Sequence, residues 1–150
     1  MKSLTRILLF IFLSATPALS ADGMLTVRSH HGVKETADSL ETILKEKRMN
    51  VFDRISHSDN ATKAGLKLRP TELLIFGNPK IGTLLMQCNQ SIAIDLPLKA
   101  LIWEDEDGQV WLSYNDMEYL KQRHEIKGCD ETIAKIADVL TGIARQATQR

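Results

Sequence analysis

The chain reads as an α+β protein: a two-layer sandwich with a mostly antiparallel five-stranded sheet and helices packed on one face. Three observations predict this. Short alternating segments recur along the chain, two amphipathic helical stretches stand apart from them, and the last two strand-like segments are joined by a tight acidic turn. Of the 150 residues, 43% are hydrophobic and 25% charged, an ordinary globular composition that argues against disorder. Lys+Arg and Asp+Glu both number 19, so nothing in the charge draws the chain to nucleic acid or to anionic membranes.

Residues 1–20 read as a signal peptide. Lys2 and Arg6 supply a basic start, Ile7 to Leu13 an apolar run, and Ala18-Leu19-Ser20 the small residues before a cut at Ala21. A retained membrane anchor is the alternative, but the run is short for a span. Residues 21–150 then form a single domain, placed in the periplasm or secreted, with no membrane contact after cleavage. Export makes Cys88 and Cys129 a disulfide pair closing a loop of about 40 residues. The alternative, a reactive or metal-binding thiol, lacks CxxC spacing or a neighbouring His.

Met24 to Ser29 alternates and predicts the first strand. Val33 to Arg48 carries Val33, Ala37, Leu40, Ile43 and Leu44 on one helical face, with Asn50 as its stop. Val51 to Ser56 is the second strand, and polar His57 to Gly65 a loop or short helix. Thr71 to Phe76 is the third strand. The turn Gly77-Asn78-Pro79-Lys80-Ile81-Gly82-Thr83 feeds a short helix through Met86, and a further helical turn ends at Pro97. Leu98–Glu104 and Gln109–Tyr114 form a hairpin over Asp105-Glu106-Asp107-Gly108. Asp116 caps a short helix to His124, and Asp130 caps the last one, striped with Ile133, Ile136, Ala137, Leu140, Ile143 and Ala144.

Three stretches carry a family likeness: Phe52-x-x-Ile55-x-His57; the long run from Gly65-Leu66 through Pro70-Thr71, Leu73-Leu74-Ile75-Phe76-Gly77-Asn78-Pro79 and Gly82-Thr83 to Leu85-Met86; and Asp95-Leu96-Pro97-Leu98-Lys99 with Leu101 and Trp103-Glu104-Asp105. From about Thr26 to His124 the chain resembles the DUF302 family. The resemblance implies a compact, usually dimeric α+β domain and no particular reaction. Ser56 stands where the family commonly has Asp before the His, and the two cysteines look like additions of an exported branch.

His57, Asn78, Gly82, Thr83, Gln87 and Tyr114 are the candidate ligand-binding residues, expected to line one pocket at a sheet edge. Gly77, Gly82 and Thr83 mimic the start of a phosphate loop, but no Lys precedes the hydroxyl, so nucleotide hydrolysis is not supported. The amides of the turn are left as a possible anion cradle, against the simpler reading of a strand-to-helix turn. His30 and His31 point to opposite faces of a strand and do not share a metal; no metal and no cofactor is expected. No GxSxG and no HExxH occurs, and no Ser-His-Asp order stands out in the sequence. The reading is thus an exported homodimer that binds a small anionic or polar ligand or a partner without catalysis. The alternative is an enzyme using His57 as acid or base, with an anion on the Gly77–Thr83 turn.

Overall fold

The computed structural model describes Ala18–Leu19 and residues 23–149. The leader falls outside the described residues except for a two-residue strand, β1 (Ala18–Leu19), which pairs with β2 (Met24–Arg28) although it precedes the expected cut. The chain continues through α1 (Val33–Glu46), β3 (Asn50–Ser56), α2 (His57–Lys63), β4 (Thr71–Gly77) and α3 (Pro79–Cys88). A 3-10 helix (Gln90–Ile94) leads to β5 (Leu98–Glu104) and β6 (Val110–Asn115), then α4 (Met117–Arg123) and α5 (Asp130–Thr148). The sheet is antiparallel throughout, in the order β1-β2-β6-β5-β4-β3. The five main strands are those expected, and the fold is an α+β sandwich.

Alternation along the strands divides the sheet into two faces. Leu74 and Phe76, Ala100 and Ile102, and Leu112 and Tyr114 point to the helix side and are buried. Against them α1 sets Val33, Ala37, Leu40, Ile43 and Leu44, and α5 sets Ile133, Leu140, Ile143 and Ala144. The opposite face carries Ile55, Leu73, Ile75, Leu101, Trp103 and Trp111, all only half-buried. There the Trp103 indole donates to Ser113 Oγ at 3.0 Å, and Ser113 Oγ lies 3.0 Å from Thr26 Oγ1. The Trp111 indole donates to Asp105 Oδ2 at 2.6 Å. That bond, with amides of Gln109 and Asp107, holds the Asp105 carboxyl below its usual range and fixes the acidic turn. Gly108 takes φ +77° in that turn, as the hairpin requires.

Two boundaries differ from expectation. Helix α1 stops at Glu46 because Arg48 turns left-handed, φ 56°, before Asn50 is reached. Asp130 sits in the first turn of α5 rather than at its cap, which is Cys129. The polar segment after β3 is a true helix, started by Ser56 Oγ accepting the Asp59 amide at 3.1 Å.

Arg54, on the helix face of β3, ties sheet to α1. Its guanidinium meets Glu72 at 2.6 Å, Asp38 at 2.6 Å and Glu41 at 3.4 Å. Lys34 and then Arg54 hold the Asp38 carboxyl below its usual range; Lys45, ahead of Arg54, does the same for Glu41. Arg54→Met leaves three carboxylates around one uncharged side chain and should cost about 2 kcal/mol in urea denaturation. Both carboxyls titrate lower folded than unfolded, so their contribution is complete above the unfolded carboxylate range. It is lost as pH falls through the folded values. The acid-side decline in stability, from about pH 5 to 3, should therefore be shallower in the variant.

Candidate functional site

A pocket of about 540 Å³ opens at the end of the helix layer, between α3 and α5. Helix α3 begins there because Asn78 caps it, Oδ1 accepting the Lys80 amide at 3.0 Å, and Pro79 occupies the first turn. Its Ile81, Leu84 and Leu85 form one wall. Ile136, Val139 and Leu140 of α5 form the facing wall. The floor comes from Gly77 at the end of β4 and from Leu96, Pro97 and Leu98 at the start of β5. Phe52 joins from β3, where a bulge between Val51 and Asp53 leaves it outside the regular ladder.

The lining is almost all carbon. Phe52 stays 52% exposed, Leu84 47% and Val139 40%, so an apolar concavity is left open to solvent. Polar groups lie among it: Asn78, Thr83, Thr132, Lys47 and Lys135. Lys135 pairs with Glu131 at 2.7 Å along α5, which keeps the Glu131 carboxyl below its usual range.

Of the candidate residues, the fold brings Asn78, Gly82 and Thr83 into this pocket; His57, Gln87 and Tyr114 do not line it. The register explains the separation. Asn50 lies opposite Gly77 and Ser56 opposite Glu72, so His57 and Asn78 leave opposite ends of the β3–β4 pair, roughly 20 Å apart along the strands. Tyr114 points into the core with its hydroxyl 3.5 Å from Thr141 Oγ1, and Gln87 is exposed on α3. The Gly77–Thr83 turn is not an open anion cradle. The Lys80 amide is bound by Asn78 Oδ1, the Gly82 amide by Asn78 O, and the Thr83 hydroxyl donates to Pro79 O at 2.8 Å.

Cys88 and Cys129 stand at disulfide distance, Cα–Cα 6.4 Å. They join the end of α3 to the start of α5, the two helices that wall the pocket, but neither lines it. Among the described residues no group of three or more His, Cys, Asp or Glu is placed to hold a metal ion. What sequence reasoning missed were the α5 wall and Phe52; their signal is apolar residues that a helix or an edge strand leaves exposed.

An apolar pocket on the helix side of an antiparallel sheet thus marks a chain of α+β architecture. The chain belongs to the DUF302 family, a domain of unknown function, whose model matches residues 25–143. A solved DUF302 protein of Bacillus stearothermophilus, uncharacterized, superposes with a TM-score of 0.76 at 22% identity, over 85% of this chain and 99% of that one. The chain is also 48% identical over 120 residues to fluoride-specific ion channel FluC 1 of Brucella suis and to that of Brucella abortus. The match covers 80% of this chain but only 46% and 44% of those proteins, so the chain spans less than half their length.

Proposed function

We propose that this chain is an exported, homodimeric binding domain that takes an apolar small molecule in the pocket between α3 and α5. The open carbon-lined concavity carries the reading: a protein that used this end only for packing would bring Phe52, Leu84 and Val139 together rather than leave them around a gap. Lys47, in the lining, complements an acidic end group on such a ligand. The cysteine pair supports an oxidising compartment. The half-buried apolar face formed by Ile55, Leu73, Leu101, Trp103 and Trp111 supports dimerisation sheet to sheet. Among the described residues no helix is long and apolar enough to cross a membrane.

Native mass spectrometry of protein from its own compartment tests both parts: a dimer mass with a retained apolar molecule is expected. Val139→Asp puts a charge into the lining at an exposed position. It should weaken binding of the apolar anionic dye 8-anilinonaphthalene-1-sulfonate at least about tenfold with little change in melting. Unchanged dye binding moves the ligand elsewhere, and a monomer mass at tens of micromolar removes the dimer.

A further inference from the structure

Away from the pocket lining, the fold assembles three residues that no sequence motif joins. Ser91 lies in the first turn of the 3-10 helix, Asp95 caps its end, and His124 caps the end of α4. Ser91 Oγ is 2.9 Å from His124 Nδ1, and His124 Nε2 is 2.6 Å from Asp95 Oδ2. A carboxylate only accepts, so Nε2 carries a proton, and in the neutral imidazole Nδ1 is then the acceptor. In that form the Ser91 hydroxyl donates to an imidazole lone pair.

The surroundings hold this geometry. His124 is 7% exposed, and Asn89 Nδ2 donates to its carbonyl at 2.6 Å. Arg123 Nε lies 3.5 Å from the same Asp95 oxygen. Ser91, in contrast, is an exposed residue, while His124 is buried. A hydroxyl bonded to a His whose far nitrogen is oriented by a carboxylate is the general pattern of an activated nucleophile, here with Nδ1 rather than the usual Nε2 facing the hydroxyl.

We propose that Ser91, His124 and Asp95 form an acyl-transfer site that hydrolyses small carboxylic esters. Ser91 Oγ bonds to the ester carbonyl carbon while its proton passes to His124 Nδ1. The carbon–oxygen bond to the leaving group then breaks, and the departing alkoxide takes the proton from Nδ1. Water repeats the sequence: it adds to the acyl carbon, gives a proton to Nδ1, and releases the carboxylic acid as Ser91 recovers its hydrogen. Asp95 takes no proton in these steps; it is a positioning residue that accepts from Nε2–H and keeps it in place. The Ser91 amide is already bound to Asn89 Oδ1 at 3.0 Å, so it is not offered to a developing oxyanion. Esters with good leaving groups, not amides, are the class such a site serves.

The test is covalent labelling of the purified protein by a fluorophosphonate, which phosphonylates an activated serine as fluoride leaves. One adduct per chain is expected, mapped to Ser91 and absent in Ser91→Ala, an exposed change that leaves the fold intact. Asp95→Asn should slow labelling at least about tenfold and His124→Asn at least about a hundredfold, with melting measured on each. Folded wild-type protein that takes no label overturns the proposal, since hydrogen bonds that only brace the corner leave the serine inert. Label retained in Ser91→Ala overturns it too, and a rate unchanged by Asp95→Asn removes the three-residue site.

Discussion

Replacing Cys88 and Cys129 together by Ala should lower the melting midpoint by about 10 °C. The bond spans a sequence separation of 41, and closing a loop of that size in the unfolded chain stabilises by about 3–4 kcal/mol in the chain-entropy model. It ties α3 to the start of α5, and α5 supplies Ile133, Leu140, Ile143 and Ala144 to the core. Loss of the tie therefore loosens the last element of the chain first. Neither cysteine lines the pocket, so ligand affinity measured well below the midpoint should be unchanged. Calorimetry with and without reductant checks the first statement, and a dye titration on the double variant checks the second. A midpoint within a degree or two of wild type would mean that the staple constrains nothing the fold does not already hold.

The two phenylalanines at the pocket end of β3 and β4 should respond in opposite ways. Phe76 is 1% exposed and sits between the sheet and the helices, so Phe76→Ala should cost about 3–5 kcal/mol through lost burial and the cavity left behind. Phe52, 52% exposed, should cost under about 1 kcal/mol when truncated, yet weaken apolar ligand binding about tenfold because its ring is pocket wall. Urea denaturation and dye titration on both variants separate the two roles. If Phe52→Ala leaves the dye bound as before, the pocket is not where it binds.

Much of the fold was legible because its signals are local. The helical stripe of α1, the alternation of β5 and β6 and the Asp–Gly turn between them depend on neighbours in sequence. The short α2 was ambiguous, since it has no buried face; Ser56 as a cap was its clearest sign. About half the expected site held together. Asn78, Gly82 and Thr83 come from one contiguous turn and arrive as a unit. His57 and Tyr114 failed to join them because their positions depend on register and strand direction, which local pattern does not contain. On α5 the sequence pattern marks Ile136 and Leu140 only as part of the apolar stripe and does not single out Val139, which lies exposed beyond it. The Ser91–Asp95–His124 contacts cross about thirty residues of chain and needed the hairpin and α4 folded back before they existed.

The bulge in β3 that releases Phe52 also bears on how copies of this domain behave when crowded. β3 is an outermost strand, and an outermost strand offers unpaired amides and carbonyls to any chain that approaches. The irregularity between Val51 and Asp53 interrupts that ladder near its start, and Asp53 and Arg54 follow with charge. A straight, continuous template for polymer growth is thereby denied on this flank. Self-association is steered away from open-ended strand addition and toward closed contacts between faces, so a concentrated sample should remain dispersed rather than form fibres.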